Sequence, residues 1–205
     1  MAALTYKDID PGKKAFIFEL DNVLYPEKDY LYQVYYLFSS LLEYTDLSDA
    51  KRTTDRMISA YNNRGAATVF DTIKEELGVD EKYRLPLDTL MLSAKLPLKL
   101  LLYQNMLTLL QEIVMDRKKI FIITNGNPQQ QLNKIKQIEW NGLEPYLTCY
   151  FAHEIAPKPA TNALEMILEQ HGLQRREIVI TGISDTDELF AQNTGVDFIA
   201  ADDIL

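Results

Sequence analysis

The chain contains 205 residues, and its 30 Asp and Glu residues outnumber its 21 Lys and Arg residues, giving a formal net charge of -9. This acidic balance argues against nucleic acid or an anionic membrane as the main partner, because both require a basic footprint. The single cysteine, Cys149, argues against a disulfide framework and a cysteine-based zinc site. We also find no apolar signal region and no uncharged apolar run of membrane-spanning length. We therefore expect a soluble, cytoplasmic protein.

A short buried strand and a long helical stretch come first along the chain. Ala15–Phe18 is apolar and rich in β-forming residues, which is typical of a buried strand. Between Tyr30 and about Ala94, apolar residues recur at spacings of three and four, which predicts four helices. No strand pattern interrupts this stretch. The sequence therefore predicts a helical block inserted after the first strand.

Strands and helices alternate over the rest of the chain. Helices are predicted at Tyr103–Met115, Gln129–Gln137, Ala160–His171 and Asp187–Thr194, and strands at Lys119–Thr124, Leu147–Ala152, Glu177–Thr181 and Asp197–Ala200. This alternation is typical of a parallel sheet covered by helices on both faces. We therefore predict an α/β core formed by residues 1–24 and 98–205, interrupted by an all-helical domain at residues 25–97.

Polar residues cluster where the predicted strands end, and ligands of open parallel sheets bind at that edge. In chain order, the four strand ends deliver first Glu19, Asp21 and Asn22, then Thr124, Asn125 and Gly126, then Lys158, and finally Ser184, Asp185 and Asp187. Carboxylates, a hydroxyl with neighbouring backbone N–H groups and one lysine suit a phosphate held beside a divalent cation. Before any resemblance is considered, the carboxylates could equally be solvated loop residues, which is the commoner role of charged side chains.

Three other kinds of site are excluded by missing motifs. No Gly-x-Gly-x-x-Gly follows the first strand, as a dinucleotide site would require, and no Gly-x-x-x-x-Gly-Lys-Ser/Thr loop is present. Ser184 does not lie in a Gly-x-Ser-x-Gly elbow, which argues against a serine hydrolase.

In order along the chain, these strand ends resemble the motifs of the haloacid dehalogenase (HAD) superfamily, whose members are mostly magnesium-dependent phosphatases. The matching segments are Glu19-Leu20-Asp21-Asn22-Val23 for Asp-x-Asp-x-Thr/Val, Thr124 for a Thr or Ser, Lys158 for a Lys, and Gly182-Ile183-Ser184-Asp185-Thr186-Asp187 for Gly-Asp-Ser-x-x-Asp. The resemblance implies a HAD-like Rossmannoid parallel sheet core with an inserted all-helical cap domain. The amino-acid sequence around the first motif is most similar to that of the pyrimidine 5′-nucleotidase-like branch.

The resemblance also implies a role for each matching residue. The side chain at Glu19 would attack phosphorus, and Asp21 would protonate the leaving oxygen and then activate water. Thr124 and Lys158 would hold the phosphoryl oxygens. Neighbouring phosphate contacts would come from Asn22, Asn125 and Gly126, and Mg²⁺ would lie on Glu19, Asp21 and Asp187. The expected substrate is a small phosphorylated metabolite, for which a nucleotide is one candidate.

Two positions depart from the family pattern. Glu19 stands where the family has its nucleophilic Asp, and Ile183 stands where the family has a metal-binding Asp. The extra methylene of Glu moves its carboxylate by roughly 1 Å, a misplacement that can cost on the order of 10²-fold in rate. Two interpretations stay open: a weak or atypical phosphomonoester phosphatase with a weakened Mg²⁺ site, and a catalytically silent binding or regulatory protein. Dehalogenation is a third interpretation, and Glu19 counts against it as well.

Overall fold

A five-stranded parallel sheet forms the centre of the first of two compact units in the computed structural model, which describes residues 3–205. Its strands are β1 (Ala15–Phe18), β3 (Lys119–Thr124), β5 (Leu147–Phe151), β6 (Ile178–Gly182) and β7 (Asp197–Ala200). They lie in the order β5-β3-β1-β6-β7, and every neighbouring pair is parallel. Ala15 pairs with Lys119 on one side and Ile178 on the other. The fully buried β1 is therefore the central strand.

Helices follow the strands in alternation and cover the sheet. They are α5 (Gln104–Met115), α6 (Pro128–Gln137), α7 (Ala152–Ile155), α8 (Asn162–His171) and α9 (Asp185–Thr194). Leu164 on α8 and Phe190 on α9 join Ile17, Phe121 and Ile180 of the sheet in one apolar cluster. The predicted α/β class with a parallel sheet is confirmed. Within residues 3–205, no helix is both long enough and apolar enough to cross a bilayer.

All five strands of this sheet were predicted from the sequence, but a second, two-stranded sheet was not. Two two-residue strands, β2 (Leu100–Leu101) and β4 (Ile138–Glu139), pair in parallel. Segments this short leave no alternation that could be detected in the sequence. Helix α9 begins at Asp185, two residues before the predicted start, because the Ser184 hydroxyl caps it by accepting a hydrogen bond from the Asp187 N–H.

The second unit is helical and contains α1 (Glu27–Asp46), α2 (Ala50–Arg64), α3 (Val69–Leu77) and α4 (Arg84–Ser93). Helix α1 packs against α2 and α4, and α2 packs against α3. Their apolar stripes meet in a buried core that includes Tyr30, Val34, Phe38, Met57 and Ile73. Gly78 ends α3 in the left-handed conformation, with φ of 73°, which glycine adopts without steric cost.

The two units divide one helix between them. The first unit contains the described residues up to Pro26 together with Leu100–Leu132 and Ile138–Leu205, and the second contains Glu27–Lys99 and Asn133–Gln137. In the second unit, the amides of Asn133 and Gln137 donate to the carbonyl oxygen of Ala94 at 3.0 and 2.9 Å. Compared with the predicted helical domain at residues 25–97, the second unit therefore also includes the end of α6.

Candidate active site

The strand order of the first unit brings the polar residues of the sequence motifs to one edge of the sheet. Glu19 directly follows β1, Thr124 ends β3 and Gly182 ends β6. Since β1 lies between β3 and β6, these three strand ends are neighbours. Lys158 follows α7, and Asp187 lies in the first turn of α9. Both of these side chains are buried at the same edge.

Lys158 links two of the carboxylates. Its ammonium donates to Glu19 Oε2 and to Asp187 Oδ1, and the side chains of Lys158, Glu19 and Asp187 are 4%, 12% and 3% exposed. Burying a carboxylate is costly unless a cation and hydrogen bonds compensate its charge. The position of Lys158 therefore explains how two acids can be buried side by side.

Asp187 is held by the start of its own helix as well as by Lys158. Its Oδ2 accepts hydrogen bonds from the N–H of Ile183 at 3.2 Å, the N–H of Ser184 at 3.1 Å and the Ser184 hydroxyl at 2.7 Å. Gly182 makes this approach possible, because a Cβ placed on it would lie 2.3 Å from Asp187 Cβ. A glycine at the end of β6 is therefore required by the position of Asp187.

Gln131 connects the first two motifs. This side chain is 2% exposed, and its Nε2 donates to Asp21 Oδ2 at 2.8 Å and to Thr124 Oγ1 at 2.7 Å. The Tyr25 hydroxyl donates to Asp21 Oδ1 at 2.6 Å. The Asp21 carboxylate is therefore oriented from both sides, and the Thr124 hydroxyl makes a hydrogen bond to Glu19.

The other residues predicted to contact phosphate make hydrogen bonds within the protein. Asn125 holds the Lys158 backbone from both sides, since its Oδ1 accepts from the Lys158 N–H at 2.9 Å and its Nδ2 donates to the carbonyl oxygen at 3.1 Å. The Gly126 N–H donates to Nδ1 of the exposed His153 at 3.0 Å. The Asn22 N–H donates to the Tyr25 carbonyl oxygen at 2.9 Å. Asn125 therefore positions Lys158, and His153 covers the amide of Gly126.

Burial and charge act in opposite directions on the three linked groups. Burial raises the pKa of Glu19, and Lys158 and Thr124 offset this rise only in part. Burial alone would lower the pKa of Lys158, but the charges of Glu19 and Asp187 outweigh it and raise that pKa. Burial would also raise the pKa of Asp187, yet Lys158 and Ser184 hold it below its usual range. Lys158 and Asp187 are therefore an ion pair at neutral pH.

The donor set does not fit a divalent cation. Within residues 3–205, no three side chains of His, Cys, Asp or Glu converge on a common point. Ile183 is 43% exposed and supplies no oxygen at the position where the resemblance implies a ligand. Hard cations such as Mg²⁺ require near-octahedral oxygen coordination. The expected ligands Glu19 and Asp187 instead converge on the ammonium of Lys158.

Sequence reasoning named most of the residues that meet at this edge but missed Gln131. Gln131 is a polar residue on a predicted helix, and the sequence alone does not distinguish a buried glutamine with partners from a solvated one. Tyr25, which donates to Asp21, and His153, which accepts from the Gly126 N–H, are likewise absent from the predicted site residues.

Comparison with known proteins identifies the architecture. A profile described as haloacid dehalogenase-like hydrolase matches residues 16–201, which is most of the chain. A sequence comparison with curated proteins found no significant match.

Three solved structures illustrate the similarity. A protein named as a candidate β-phosphoglucomutase from Thermotoga maritima has a TM-score of 0.61 and 16% identity, over 89% of this chain and 82% of that one. A candidate phosphoglycolate phosphatase from Lactobacillus delbrueckii subsp. bulgaricus has a TM-score of 0.55 and 17% identity, over 91% and 85%. The candidate HAD-hydrolase YfnB from Bacillus subtilis, solved bound to magnesium, has a TM-score of 0.58 and 17% identity, over 91% and 85%. At such identities the likeness concerns the fold, and the predicted HAD-like fold is confirmed.

Proposed function

We propose that this chain, which belongs to the haloacid dehalogenase-like hydrolase family, hydrolyses small phosphomonoesters slowly, with Glu19 as its nucleophile. The observation that carries the proposal is the contact of one Glu19 carboxylate oxygen with the Lys158 ammonium, beside the hydroxyl of Thr124. These are the side chains that an attacking carboxylate and a phosphoryl group would need at the end of a parallel sheet. The names of two structural neighbours, a candidate β-phosphoglucomutase and a candidate phosphoglycolate phosphatase, support a phosphorylated substrate.

The proposed reaction has two steps. In the first, a Glu19 oxygen attacks phosphorus, the bond from phosphorus to the leaving oxygen breaks, and Asp21 gives its proton to that oxygen. In the second, Asp21 takes a proton from water, which attacks the acyl phosphate and releases Glu19 and inorganic phosphate. Tyr25 and Gln131 orient Asp21 for both proton transfers. Lys158 and Thr124 stabilise the negative charge of the phosphoryl oxygens.

The charge at the site explains why turnover should be slow. Glu19 and Asp187 already share the single ammonium of Lys158, so an approaching phosphate dianion meets little net positive charge. The longer side chain of Glu19 adds a displacement of roughly 1 Å, for which a loss on the order of 10²-fold is typical. The proposed ligands are small phosphorylated metabolites, with nucleotides among the candidates. A cytoplasmic location belongs to the same proposal.

A second candidate function is ligand binding without catalysis. The exposed Ile183 favours it, because an apolar side chain at this edge neither coordinates a cation nor stabilises a phosphate. In that case the unmodified chain would bind a small ligand or regulate a partner and would release no phosphate.

The experiment is hydrolysis of p-nitrophenyl phosphate by the purified chain, by Asp21→Asn and by the matched control Asp185→Asn. Asp185 is an exposed acid in the motif that contains Asp187, so its substitution should leave the rate unchanged. Loss of general acid–base catalysis in D21N should reduce the rate by about 10²-fold or more. Turnover that D21N does not reduce would assign the activity to a contaminant. An unmodified chain without turnover would establish the silent alternative.

A further inference from the structure

Most of the acceptor capacity of Asp187 is used by the protein itself. Its Oδ2 accepts from the N–H groups of Ile183 and Ser184 and from the Ser184 hydroxyl, and its Oδ1 accepts from the Lys158 ammonium. Each carboxylate oxygen has about two lone-pair sites, so Oδ2 has none left and Oδ1 has one beside the ammonium. A metal ion on Asp187 would therefore have to share Oδ1 with the positive charge of Lys158.

Glu19 is similarly engaged. Its Oε1 accepts from the Leu20 N–H at 2.7 Å, its Oε2 contacts the Lys158 ammonium, and the Thr124 hydroxyl also makes a hydrogen bond to it. The ammonium thus touches one oxygen of each buried carboxylate and supplies the positive charge that both require. The position occupied by Lys158 is the one where the two acids would otherwise need another cation.

Ile183 adds no further ligand. Ile183 turns its N–H toward Asp187 and leaves an apolar side chain, 43% exposed, at the edge of the site. Mg²⁺ keeps several of its waters and is held on a protein by one or two carboxylates. Here the carboxylates of Glu19 and Asp187 already share a built-in monovalent cation, and Ile183 offers no ligand for a divalent one.

We infer that Lys158 is the resident cation of this site and that the site has no divalent-cation requirement. The inference deepens the proposed function, since it concerns the same carboxylates. Its test measures metal occupancy and not turnover, so the inference and the proposed function can fail separately.

The first measurement is thermal unfolding of the unmodified chain in saturating MgCl₂ and in EDTA at matched ionic strength. If the chain had a Mg²⁺ site, a Mg²⁺ concentration of about 100 times its dissociation constant would raise the unfolding midpoint by about 5–10 °C. We expect no such shift, and we expect the electron paramagnetic resonance signal of free Mn²⁺ to stay unchanged when the protein is added. A Mg²⁺-induced rise, or Mn²⁺ binding that Glu19→Gln abolishes, would overturn the inference.

The second measurement removes the resident cation. Lys158→Gln leaves the carboxylates of Glu19 and Asp187 facing each other, so its unfolding midpoint should fall, and Mg²⁺ should now raise it by several degrees. Lys13→Gln is the matched control, because Lys13 is also buried but its ammonium contacts the largely exposed carboxylate of Asp197. The unfolding midpoint of K13Q should also fall, but Mg²⁺ should not raise it. An equal Mg²⁺ response in both variants would contradict the role of Lys158.

A third comparison does not depend on the folding of the Lys158 variant. Ile183→Asp adds a carboxylate where the side chain is already exposed, and Ile183→Asn adds an amide of nearly the same size. We expect I183D to bind Mn²⁺ at least tenfold more tightly than the unmodified chain, and I183N to bind much more weakly than I183D. An unmodified chain that binds Mn²⁺ as tightly as I183D would refute the inference.

Discussion

Substitution of Gly182 by alanine should destabilise the first unit by displacing Asp187. A Cβ at position 182 would lie 2.3 Å from Asp187 Cβ, 2.7 Å from its Cγ and 2.9 Å from its Oδ2. The nearest of these atoms is attached directly to the backbone of α9, so a change of rotamer cannot relieve the clash. Either the start of α9 moves away from β6, or the strand end shifts.

The expected cost combines two effects. Overpacking of a buried position costs about 1–3 kcal/mol, and a weakened hydrogen bond to Asp187 adds about 1 kcal/mol. A loss of about 2–4 kcal/mol in the free energy of unfolding lowers the melting temperature of a chain of this size by roughly 5–15 °C. Differential scanning calorimetry measures both quantities directly.

Two controls isolate the clash at Gly182. Gly12→Ala introduces the same methyl group at an exposed glycine, where the nearest atom is the flexible Asp10 carboxylate at 3.2 Å, and it should change stability by less than about 0.5 kcal/mol. Asp187→Gly removes the atoms that the new methyl would meet, so the double variant should show a coupling energy above about 1 kcal/mol. A G182A protein with the melting temperature of the unmodified chain would contradict the predicted clash. A double-mutant cycle without coupling energy between positions 182 and 187 would contradict it as well.

Three further predictions concern the buried hydrogen bonds. Gln131→Leu removes the donor to the half-buried Asp21 and the buried Thr124 and should cost about 1–3 kcal/mol in urea unfolding, whereas the exposed Gln129→Leu should cost little. Because the folded pKa of Glu19 is raised, the unmodified chain loses stability as pH rises above 4.5, so the stability of Glu19→Gln relative to it should increase with pH. The folded pKa of Asp187 is lowered, so the advantage of the unmodified chain over Asp187→Asn should shrink as pH falls below 3.8. Relative stabilities that do not change with pH would contradict these assignments, as would equal losses in the two glutamine variants.

The strands could be predicted from the sequence because each is a short apolar run flanked by polar residues. Lys119–Thr124 and Asp197–Ala200 have the predicted bounds. The motif residues could also be expected at one edge, since parallel strands deliver their carboxyl ends together. The structure agrees in that Glu19 and Lys158 are in contact.

The details of that edge could not be derived from the sequence, because they depend on pairs that lie far apart along the chain. Gln131 meets Asp21 across 110 positions, and Asn125 meets Lys158 across 33. The importance of Gly182 also depends on a tertiary distance, since its only local signal was membership of a motif. Periodicity describes which face of an element is buried, but it does not identify which polar side chain will find a partner there.

A site that keeps its phosphoryl-binding residues and lacks a divalent-cation site is tested most directly by the Mg²⁺ dependence of phosphomonoester hydrolysis. The proteins to compare are the unmodified chain and the double variant Glu19→Asp, Ile183→Asp. We expect slow turnover that Mg²⁺ and EDTA leave unchanged in the unmodified chain, and Mg²⁺-dependent turnover faster by on the order of 10²-fold in the double variant. Fast hydrolysis by the unmodified chain that EDTA abolishes, and that the double variant does not exceed, would contradict both the proposed function and the absence of a divalent-cation site.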